Sequence, residues 1–156
     1  MLKAGVLGAG HLGKIHLKLL QQSTKYTLVG FFDANQEAAK AIEKEHGYKS
    51  FPSMEALIEA CDMVDVVTPT IYHYQCAEKV ITAGKHLFIE KPITHTVTEA
   101  DSIRDLAKKH GVRGQVGQVE RFNPAFMAVN HMIDKPMFIE AHRLAEFNPR
   151  GTDVSV

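Results

Sequence analysis

The sequence predicts an α/β protein with a doubly wound parallel β-sheet. Short apolar segments alternate with segments of helical periodicity through residues 1–120, the order expected when helices cross over between parallel strands. Residues 28–32 form an unbroken apolar run, which is typical of a strand that helices cover on both faces. A glycine-rich turn at residues 8–13 joins the first strand directly to the first helix. In a fold of this class, ligands bind at the carboxyl ends of the strands.

Six strands are predicted, with helices between them. The strands cover residues 3–8, 26–33, 48–51, 63–69, 86–90 and 112–119. In the first helix, which begins near His11, the apolar residues Leu12, Ile15, Leu19 and Leu20 recur at helical spacing. Glycine, proline and helix-capping residues separate the segments from one another.

A second domain is predicted to begin at residue 121, so that residues 1–120 form the first domain. Asn123 and Pro124 open a helix that continues to about residue 133. Residues 137–147 have the pattern of one long strand, and a lone strand cannot complete a sheet of its own. Residues 121–156 are therefore expected to hold the first helix and the first strand of a truncated α+β domain.

Charge and composition exclude several classes of partner. The chain has 18 basic and 18 acidic residues, so neither a nucleic acid nor an anionic membrane surface is expected as a partner. The first strand follows Met1 almost at once, which leaves no room for a signal peptide. The two cysteines, Cys61 and Cys76, are expected to be reduced thiols of a cytoplasmic protein. Neither they nor the nine histidines show metal-ligand spacing, so no metal site is expected.

The turn after the first strand has the spacing Gly-x-Gly-x-x-Gly, which suits a dinucleotide. Gly8 allows a tight turn, Gly10 leaves space for a pyrophosphate, and Gly13 lets the helix approach the sheet closely. The helix then directs its free N–H groups and its dipole at the phosphates. Such a turn alone is a weak signal, but here a strand precedes it and a helix follows it. The candidate cofactor-binding residues of this loop are Gly8, Ala9, Gly10, His11, Leu12 and Gly13.

Asp33 closes the second strand, 20 positions after Gly13, where a carboxylate can accept hydrogen bonds from the hydroxyls of a ribose. The same charge would repel a 2′-phosphate, and Ala34, Asn35 and Gln36 supply no arginine to hold one. The sequence therefore favours NAD over NADP as the cofactor. Capping of the next helix is an alternative role for Asp33, and the two roles are compatible.

The strand at residues 63–69 is predicted to end at Thr68, Pro69 and Thr70, because proline cannot donate a hydrogen bond to a neighbouring strand. This turn is either a plain connection or a support for the nicotinamide half of a dinucleotide. His73 begins the next helix beside the turn. A single histidine is more often structural than catalytic, so the residues alone favour a structural role for His73.

The strand at residues 86–90 ends abruptly in Glu90, Lys91 and Pro92. The carboxyl end of the sheet places these two charges near the ligand site. Lys91 would there be able to hydrogen-bond a substrate hydroxyl and exchange a proton beside a nicotinamide. A simple ion pair in a loop is the alternative, and the spacing alone favours neither interpretation.

Four blocks of sequence together resemble the Gfo/Idh/MocA family of oxidoreductases, which includes glucose–fructose oxidoreductase and inositol 2-dehydrogenase. The blocks are residues 8–13, 68–73, 83–92 and 117–124. The resemblance implies a cytosolic NAD(P)-dependent dehydrogenase that transfers a hydride between the cofactor and a sugar, cyclitol or nucleotide sugar. The stretch from Val119 to Pro124 is similar to that of members that oxidise UDP-N-acetylglucosamine at the 3-position.

The resemblance also implies roles for individual residues. It makes Lys91 the active-site lysine and Glu90 its catalytic neighbour, with both beside the cofactor. The other residues that it places along the cofactor are Thr68, Pro69, Thr70, His73, Gly117 and Gln118.

The sequence departs from the family where the second domain begins. Family members continue into a large antiparallel sheet that carries a further catalytic aspartate and histidine and builds the oligomer. This chain is therefore expected to be the cofactor-binding half of a homo-oligomeric enzyme and to be inactive alone. A non-catalytic dinucleotide sensor is one alternative, although a sensor has no need of Lys91. A methyltransferase that uses S-adenosylmethionine is another, although it has no need of the third glycine.

Overall fold

A computed structural model describes residues 1–142 and Leu144 of the chain. The chain divides into two compact units, of which the first is Met1–Gly117 and the second begins at Gln118. The first unit holds the sheet. Among the described residues, no helix is both long and apolar enough to cross a membrane.

The first unit is built on a parallel sheet of five strands in the order β2-β1-β3-β4-β5. The strands are β1 (Leu2–Leu7), β2 (Tyr26–Phe32), β3 (Met63–Val66), β4 (His86–Ile89) and β5 (Gly114–Val116). Because β2 lies on one side of β1 and β3 lies on the other, the direction of winding reverses at β1. This reversal creates the crevice in which open α/β sheets bind ligands. The predicted doubly wound parallel sheet is confirmed.

Five helices connect the strands, and several of them begin or end at residues that cap helices. They are α1 (His11–Gln22), α2 (Gln36–His46), α3 (Met54–Ala60), α4 (His73–Thr82) and α5 (Val97–His110). The side chains of Asn35, Ser53 and Thr96 accept hydrogen bonds from the first turns of α2, α3 and α5. Gly47 and Gly111 end α2 and α5 in the left-handed conformation that favours glycine.

Apolar cores cover both faces of the sheet. Val6 and Leu7 belong to different cores, since neighbouring residues of a strand point to opposite faces. The core under α1 and α2 consists of Val6, Ala9, Leu17, Phe31, Ala39 and Ile42. The larger core includes Leu7, Leu57, Val66, Ala77, Val80, Ile81, Ile89 and Ile103, and it lies under α3, α4 and α5.

The strand predicted at residues 48–51 is absent, so the sheet has five strands in place of the six expected. Only an isolated bridge forms there, between Phe31 and Ser50. The Phe31 N–H donates to the carbonyl of Lys49 at 2.9 Å, and the Phe51 N–H donates to the carbonyl of Phe31 at 2.8 Å. Pro52 follows at once and has no N–H to extend this pairing.

The apolar residues that recur at helical spacing in α1 do not form its buried side. Leu12, Ile15 and Leu19 are all exposed, and the buried residues of the helix are Gly13 and Leu17. A Cβ added to Gly13 would lie 2.0 Å from the carbonyl oxygen of Gly8. Because the glycine sets the line of closest approach, the side of the helix that carries Gly13 and Leu17 packs on the sheet.

The second unit contains short helical segments in its described part. A 3₁₀ turn (Val119–Phe122) leads to α6 (Pro124–Asn130), where the Asn123 side chain accepts a hydrogen bond from the Ala125 N–H at 3.0 Å. The helix predicted from residue 124 is thus present but ends at Asn130. The strand predicted at residues 137–147 does not form over residues 137–142, where no strand among the described residues supplies the hydrogen bonds that such a strand needs. Apart from Leu144, the rest of that prediction lies outside the described residues.

Candidate functional site

The turns that follow β1, β2, β3 and β4 lie side by side at one edge of the sheet. Leu7 is in register with Phe32 on β2 and with Val66 on β3, and Val66 is in register with Ile89 on β4. Strands that end at one level bring the residues after them together. The glycine loop, Asp33, the turn at residues 68–70 and the turn at residues 90–92 therefore converge, although about 80 residues separate the first from the last.

The glycine loop has the geometry that its spacing predicts. Gly8 has a φ of +91°, which an L side chain rarely adopts, and its N–H donates to the carbonyl of Phe32 at 2.9 Å. The contact of Gly13 with the Gly8 carbonyl leaves no room for a side chain at position 13. These two glycines are therefore needed by the fold of the loop itself.

Gly10 is different, because no side chain in the described part of the protein occupies the space above it. A Cβ added to Gly10 would have no atom within 4 Å, and the φ of −64° is one that other residues adopt readily. Gly10 is also the N-cap of α1, which lacks a side-chain cap and has no acidic residue in its first turn. Free N–H groups and the positive end of the helix dipole therefore face this open space, an arrangement that fits a phosphate group.

Asp33 connects the glycine loop to the end of β2. Its Oδ2 accepts a hydrogen bond from the Ala9 N–H at 2.7 Å, and its Oδ1 accepts one from the Asn35 N–H at 2.8 Å. Each carboxylate oxygen has capacity for a further donor. The cap of α2 is Asn35, whose side chain accepts from the Ala38 N–H at 3.0 Å. The alternative that Asp33 itself caps this helix is therefore wrong.

An open groove of about 450 Å³ runs beside the loop, between α1 and α2. One wall is the glycine loop, and the other is the exposed side of α2. The groove contains one basic and one acidic side chain, Lys14 and Glu45, among lining residues that are otherwise small, apolar or imidazole. The lining residues are Ala9, Gly10, His11, Lys14, Ala38, Ala41, Ile42 and Glu45.

His73 joins the turn after β3 to the turn after β4. The ring is only 1% exposed. Its Nε2 lies 2.8 Å from the carbonyl oxygen of Thr68, and its Nδ1 lies 2.9 Å from the carbonyl oxygen of Pro92. Both partners are acceptors, and a neutral ring donates through only one nitrogen. The placement supports the structural interpretation of this histidine, as a clamp between two turns of the site.

Glu90 and Lys91 lie at the end of β4 in contrasting environments. Glu90 is buried, and its Oε2 accepts a hydrogen bond from the Lys91 N–H at 3.0 Å. A Cβ added to Gly117 would lie 2.6 Å from Oε1 of Glu90, so a larger residue there would force this carboxylate to shift. Lys91 is exposed, and its peptide bond to Pro92 is cis. An ammonium on an exposed turn at this edge is available to a ligand.

The remaining predicted site residues fall in three places. Pro69 and Thr70 lie in the turn after β3, where Thr70 is 7% exposed. His11 and Leu12 form the exposed first turn of α1 beside Gly10. Gln118 is exposed and is the first residue of the second unit.

Two residues of the site were not predicted from the sequence, namely His16 and Asp65. His16 lies on α1, and its Nδ1 is 2.8 Å from Oδ2 of Asp65 on β3. Hydrogen bonding to Asp65 raises the pKa of His16 above its ordinary value, while burial acts in the opposite direction. Burial raises the pKa of Asp65, which is 4% exposed, and its bond to His16 counteracts this. The signal in the sequence was a charged residue in the middle of an apolar strand.

The two cysteines have a structural place in the larger core. Both Cys61 and Cys76 are buried and free. Burial raises the pKa of Cys61 to about 12 and also raises the pKa of Cys76, so neither thiol is a nucleophile at neutral pH. Among the described residues, no group of three or more histidines, cysteines and carboxylates is arranged to hold a metal ion.

The family model for the Gfo/Idh/MocA oxidoreductases, described as having an NAD-binding Rossmann fold, matches residues 2–118. The chain belongs to this family. The match covers the first compact unit of the chain except Met1, and it extends one residue beyond that unit. The resemblance inferred from the four sequence blocks is thereby confirmed.

Individual members of the Gfo/Idh/MocA family are similar over most of the chain. A UDP-N-acetylglucosamine 3-dehydrogenase of Acidithiobacillus ferrooxidans is 36% identical over 99% of the chain, which spans 49% of that protein. A solved structure of that enzyme, GnnA, superposes with a TM-score of 0.87 over 97% of the chain and 48% of its own length. An inositol 2-dehydrogenase of Rhizobium meliloti is 35% identical over 83% of the chain and 40% of its own length.

The chain therefore spans about half or less of the length of these relatives. Other relatives carry the names of NAD⁺-dependent and of NADP⁺-dependent dehydrogenases, so the family uses both cofactors. The family match and the fold agree on an NAD(P)-binding domain of an oxidoreductase.

Proposed function

We propose that this chain is the NAD-binding half of a dehydrogenase that acts on a CH–OH group of a sugar, cyclitol or nucleotide sugar. NAD is proposed in preference to NADP. Of the possible substrates we favour a nucleotide sugar such as UDP-N-acetylglucosamine, because the relative that matches 99% of the chain carries that name.

The observation that carries the proposal is the open space at Gly10. The uncapped N-terminus of α1 faces this space, and apart from the two chain neighbours of Gly10 no atom of the described residues lies within 4 Å of an added Cβ. A pyrophosphate is the group that such an arrangement recognises. The carboxylate of Asp33 accepts a hydrogen bond from the N–H of Ala9, the residue before Gly10, and is there available to ribose hydroxyls. The same negative charge disfavours the 2′-phosphate of NADP.

A nicotinamide ring would supply the chemistry of accepting or donating a hydride. The chain's own residues supply the proton handling. Lys91 follows β4 in an exposed turn beside the end of β3, where its ammonium is suited to hydrogen-bond the reacting hydroxyl and exchange its proton. Glu90 is buried behind Lys91 and bonds to its backbone N–H, so Glu90 holds the turn that carries the lysine. His73 holds the same turn from the side of the β3 turn.

Binding and turnover test different parts of the proposal. The 156-residue chain is titrated with NADH, NADPH and S-adenosylmethionine, and binding is followed by nucleotide fluorescence or calorimetry. We expect NADH to bind most tightly and S-adenosylmethionine not to bind. Preference for S-adenosylmethionine would refute the assignment.

Turnover is measured on a longer form that carries a complete second domain, with nucleotide sugars, sugar phosphates and inositols as substrates. We expect that form to reduce NAD with one of these classes and the 156-residue chain to show negligible turnover. Tight NADH binding without turnover of any of them would instead indicate a non-catalytic sensor. Robust turnover by the 156-residue chain would contradict the division of labour between the two halves.

A further inference from the structure

We propose that His16 is a positioning residue that couples the cofactor-binding helix to the turn that carries Lys91, acting through the buried carboxylates of Asp65 and Glu90. The proposal deepens the proposed function and rests on it for the role of Lys91. The polar contacts of the His16 ring are with Asp65 and Glu90. Its influence passes through hydrogen bonds and charge.

The imidazole of His16 bridges three elements of the sheet layer. Its Nδ1 lies 2.8 Å from Oδ2 of Asp65 on β3, and its Nε2 lies 3.5 Å from Oε1 of Glu90 at the end of β4. The ring meets Phe88 of β4 edge-on, with 6.1 Å between ring centroids. His16 itself is on α1, one turn after Gly13. One side chain thus connects the helix that begins at the glycine loop with both strands beside the proposed reaction site.

The charges around the ring favour its protonated form. Asp65 faces it from β3 and Glu90 faces it from β4, and these are the charged groups that act on His16. Oδ1 of Asp65 is buried and has no hydrogen-bond partner among the residues that the structure describes, so the bond of Oδ2 to His16 is the one that compensates this carboxylate. A neutral ring would leave two buried carboxylates without a cation between them, which is costly in an interior of low dielectric.

The charge of His16 acts on the position of the Glu90 carboxylate. Glycine at position 117 leaves just enough room for Oε1, since an added Cβ would lie 2.6 Å away. The carboxylate therefore lies between Gly117, just after β5, and His16. Its second oxygen, Oε2, accepts the Lys91 N–H at 3.0 Å. A change in the charge of His16 must alter the force on this carboxylate, and with it the backbone from which Lys91 projects.

The direction of the pH dependence follows from the cluster. Bonding to Asp65 raises the pKa of His16, so the ring keeps its proton to a higher pH in the folded protein than in the unfolded chain. The stabilisation is complete below the unfolded pKa of about 6.5 and is lost as the pH rises through the folded pKa. The Lys91 turn is therefore held most firmly on the acidic side of that transition.

The coupling is tested by NMR, which needs no turnover. In the wild-type 156-residue chain, we expect the ring of His16 to titrate above pH 6.5 and the backbone amide of Lys91 to shift with the same midpoint. In His16→Gln the Lys91 amide should lose this titration, and in Glu90→Gln the midpoint of His16 should fall. A matched control, His46→Gln, changes a histidine on α2 whose neighbour is Glu45 and should leave the Lys91 amide unchanged.

A Lys91 amide that does not follow His16, or a ring that titrates at or below its ordinary value, would overturn the coupling. Should His16→Gln fail to fold, Asp65→Asn supplies the same comparison, with a lower midpoint for His16 expected. In the longer, catalytic form we expect His16→Gln to lower kcat at least tenfold while the Kd for NADH changes less than twofold. Unchanged kcat would overturn the positioning role. Absence of NADH binding or turnover in the wild type would refute the proposed function, and the NMR result would still decide the coupling.

Discussion

Substitution of Gly10 by alanine separates the needs of the fold from the needs of the ligand. A Cβ at position 10 has no atom within 4 Å, and the φ of −64° with ψ of −160° suits alanine. The unfolded chain loses freedom, which favours the variant by about 0.4–1 kcal/mol, whereas alanine is a poorer N-cap than glycine by about 0.5–1 kcal/mol. Because these two effects oppose each other, the Tm should stay within about 4 °C of that of the wild type.

The same methyl group occupies the space proposed for the pyrophosphate. We expect Gly10→Ala to weaken NADH binding at least tenfold, which corresponds to about 1.4 kcal/mol. Gly13→Ala should instead destabilise the fold itself. Its Cβ would lie 2.0 Å from the Gly8 carbonyl oxygen, and overlap with backbone places the cost near the upper end of the usual 1–3 kcal/mol, or about 6–12 °C in Tm.

Thermal unfolding without ligand and calorimetric titration with NADH measure the two effects independently. Gly114→Ala is the matched control, because Gly114 on β5 also has open space around it but lies outside the glycine loop. It should bind NADH as the wild type does. If Gly10→Ala retained wild-type affinity, no pyrophosphate would cross the loop at this position and the main support for the cofactor site would be lost.

In the longer, catalytic form, Lys91→Met should lower kcat by at least 100-fold and leave the Kd for NADH within about threefold. Lys109→Met, on an exposed part of α5, should change neither quantity. Loss of NADH binding in Lys91→Met would instead show that Lys91 has a structural role. Asp33→Asn should reduce the preference for NADH over NADPH at least tenfold in direct titrations, since the repulsion of a 2′-phosphate is removed, and an unchanged ratio would locate the discrimination elsewhere. Burial raises the pKa of Cys61 to about 12 and also raises the pKa of Cys76. A thiol reagent at pH 8 should therefore label neither cysteine in the native chain and both cysteines in urea. Rapid labelling of the native chain would show that the larger core opens.

The parts of the site that the sequence predicted are those encoded by short local patterns. The glycine spacing, Asp33 at the end of a strand and the charged end of β4 each follow from the order of strands and the rule that their carboxyl ends meet. Asp33 bonds to Ala9 across 24 positions, but both residues belong to turns that the pattern already marks. The fold and the convergence of these turns could therefore be predicted with no knowledge of side-chain packing.

What could not be predicted depends on packing between distant segments. The pair of His16 and Asp65 spans 49 positions, and no periodicity connects a helix side chain with a particular residue of a later strand. The exposed apolar residues of α1 were a misleading pattern, because the contact of Gly13 with Gly8 overrides hydrophobic periodicity in setting which side is buried. The strand predicted near Ser50 is reduced to a single bridge, because Pro52 has no N–H with which to extend the pairing.

The common level at which β1, β2, β3 and β4 end has a consequence for how such a protein can change. Leu7, Val66 and Ile89 are buried beneath that edge and belong to the larger core, whereas the residues that would meet a ligand come immediately after them. An insertion or replacement in one turn alters one wall of the crevice and the turn bonded to it, while the buried strand ends beneath them stay in place. New cofactor or substrate preferences can then arise by exchange of one connecting segment at a time, each trial starting from an intact scaffold.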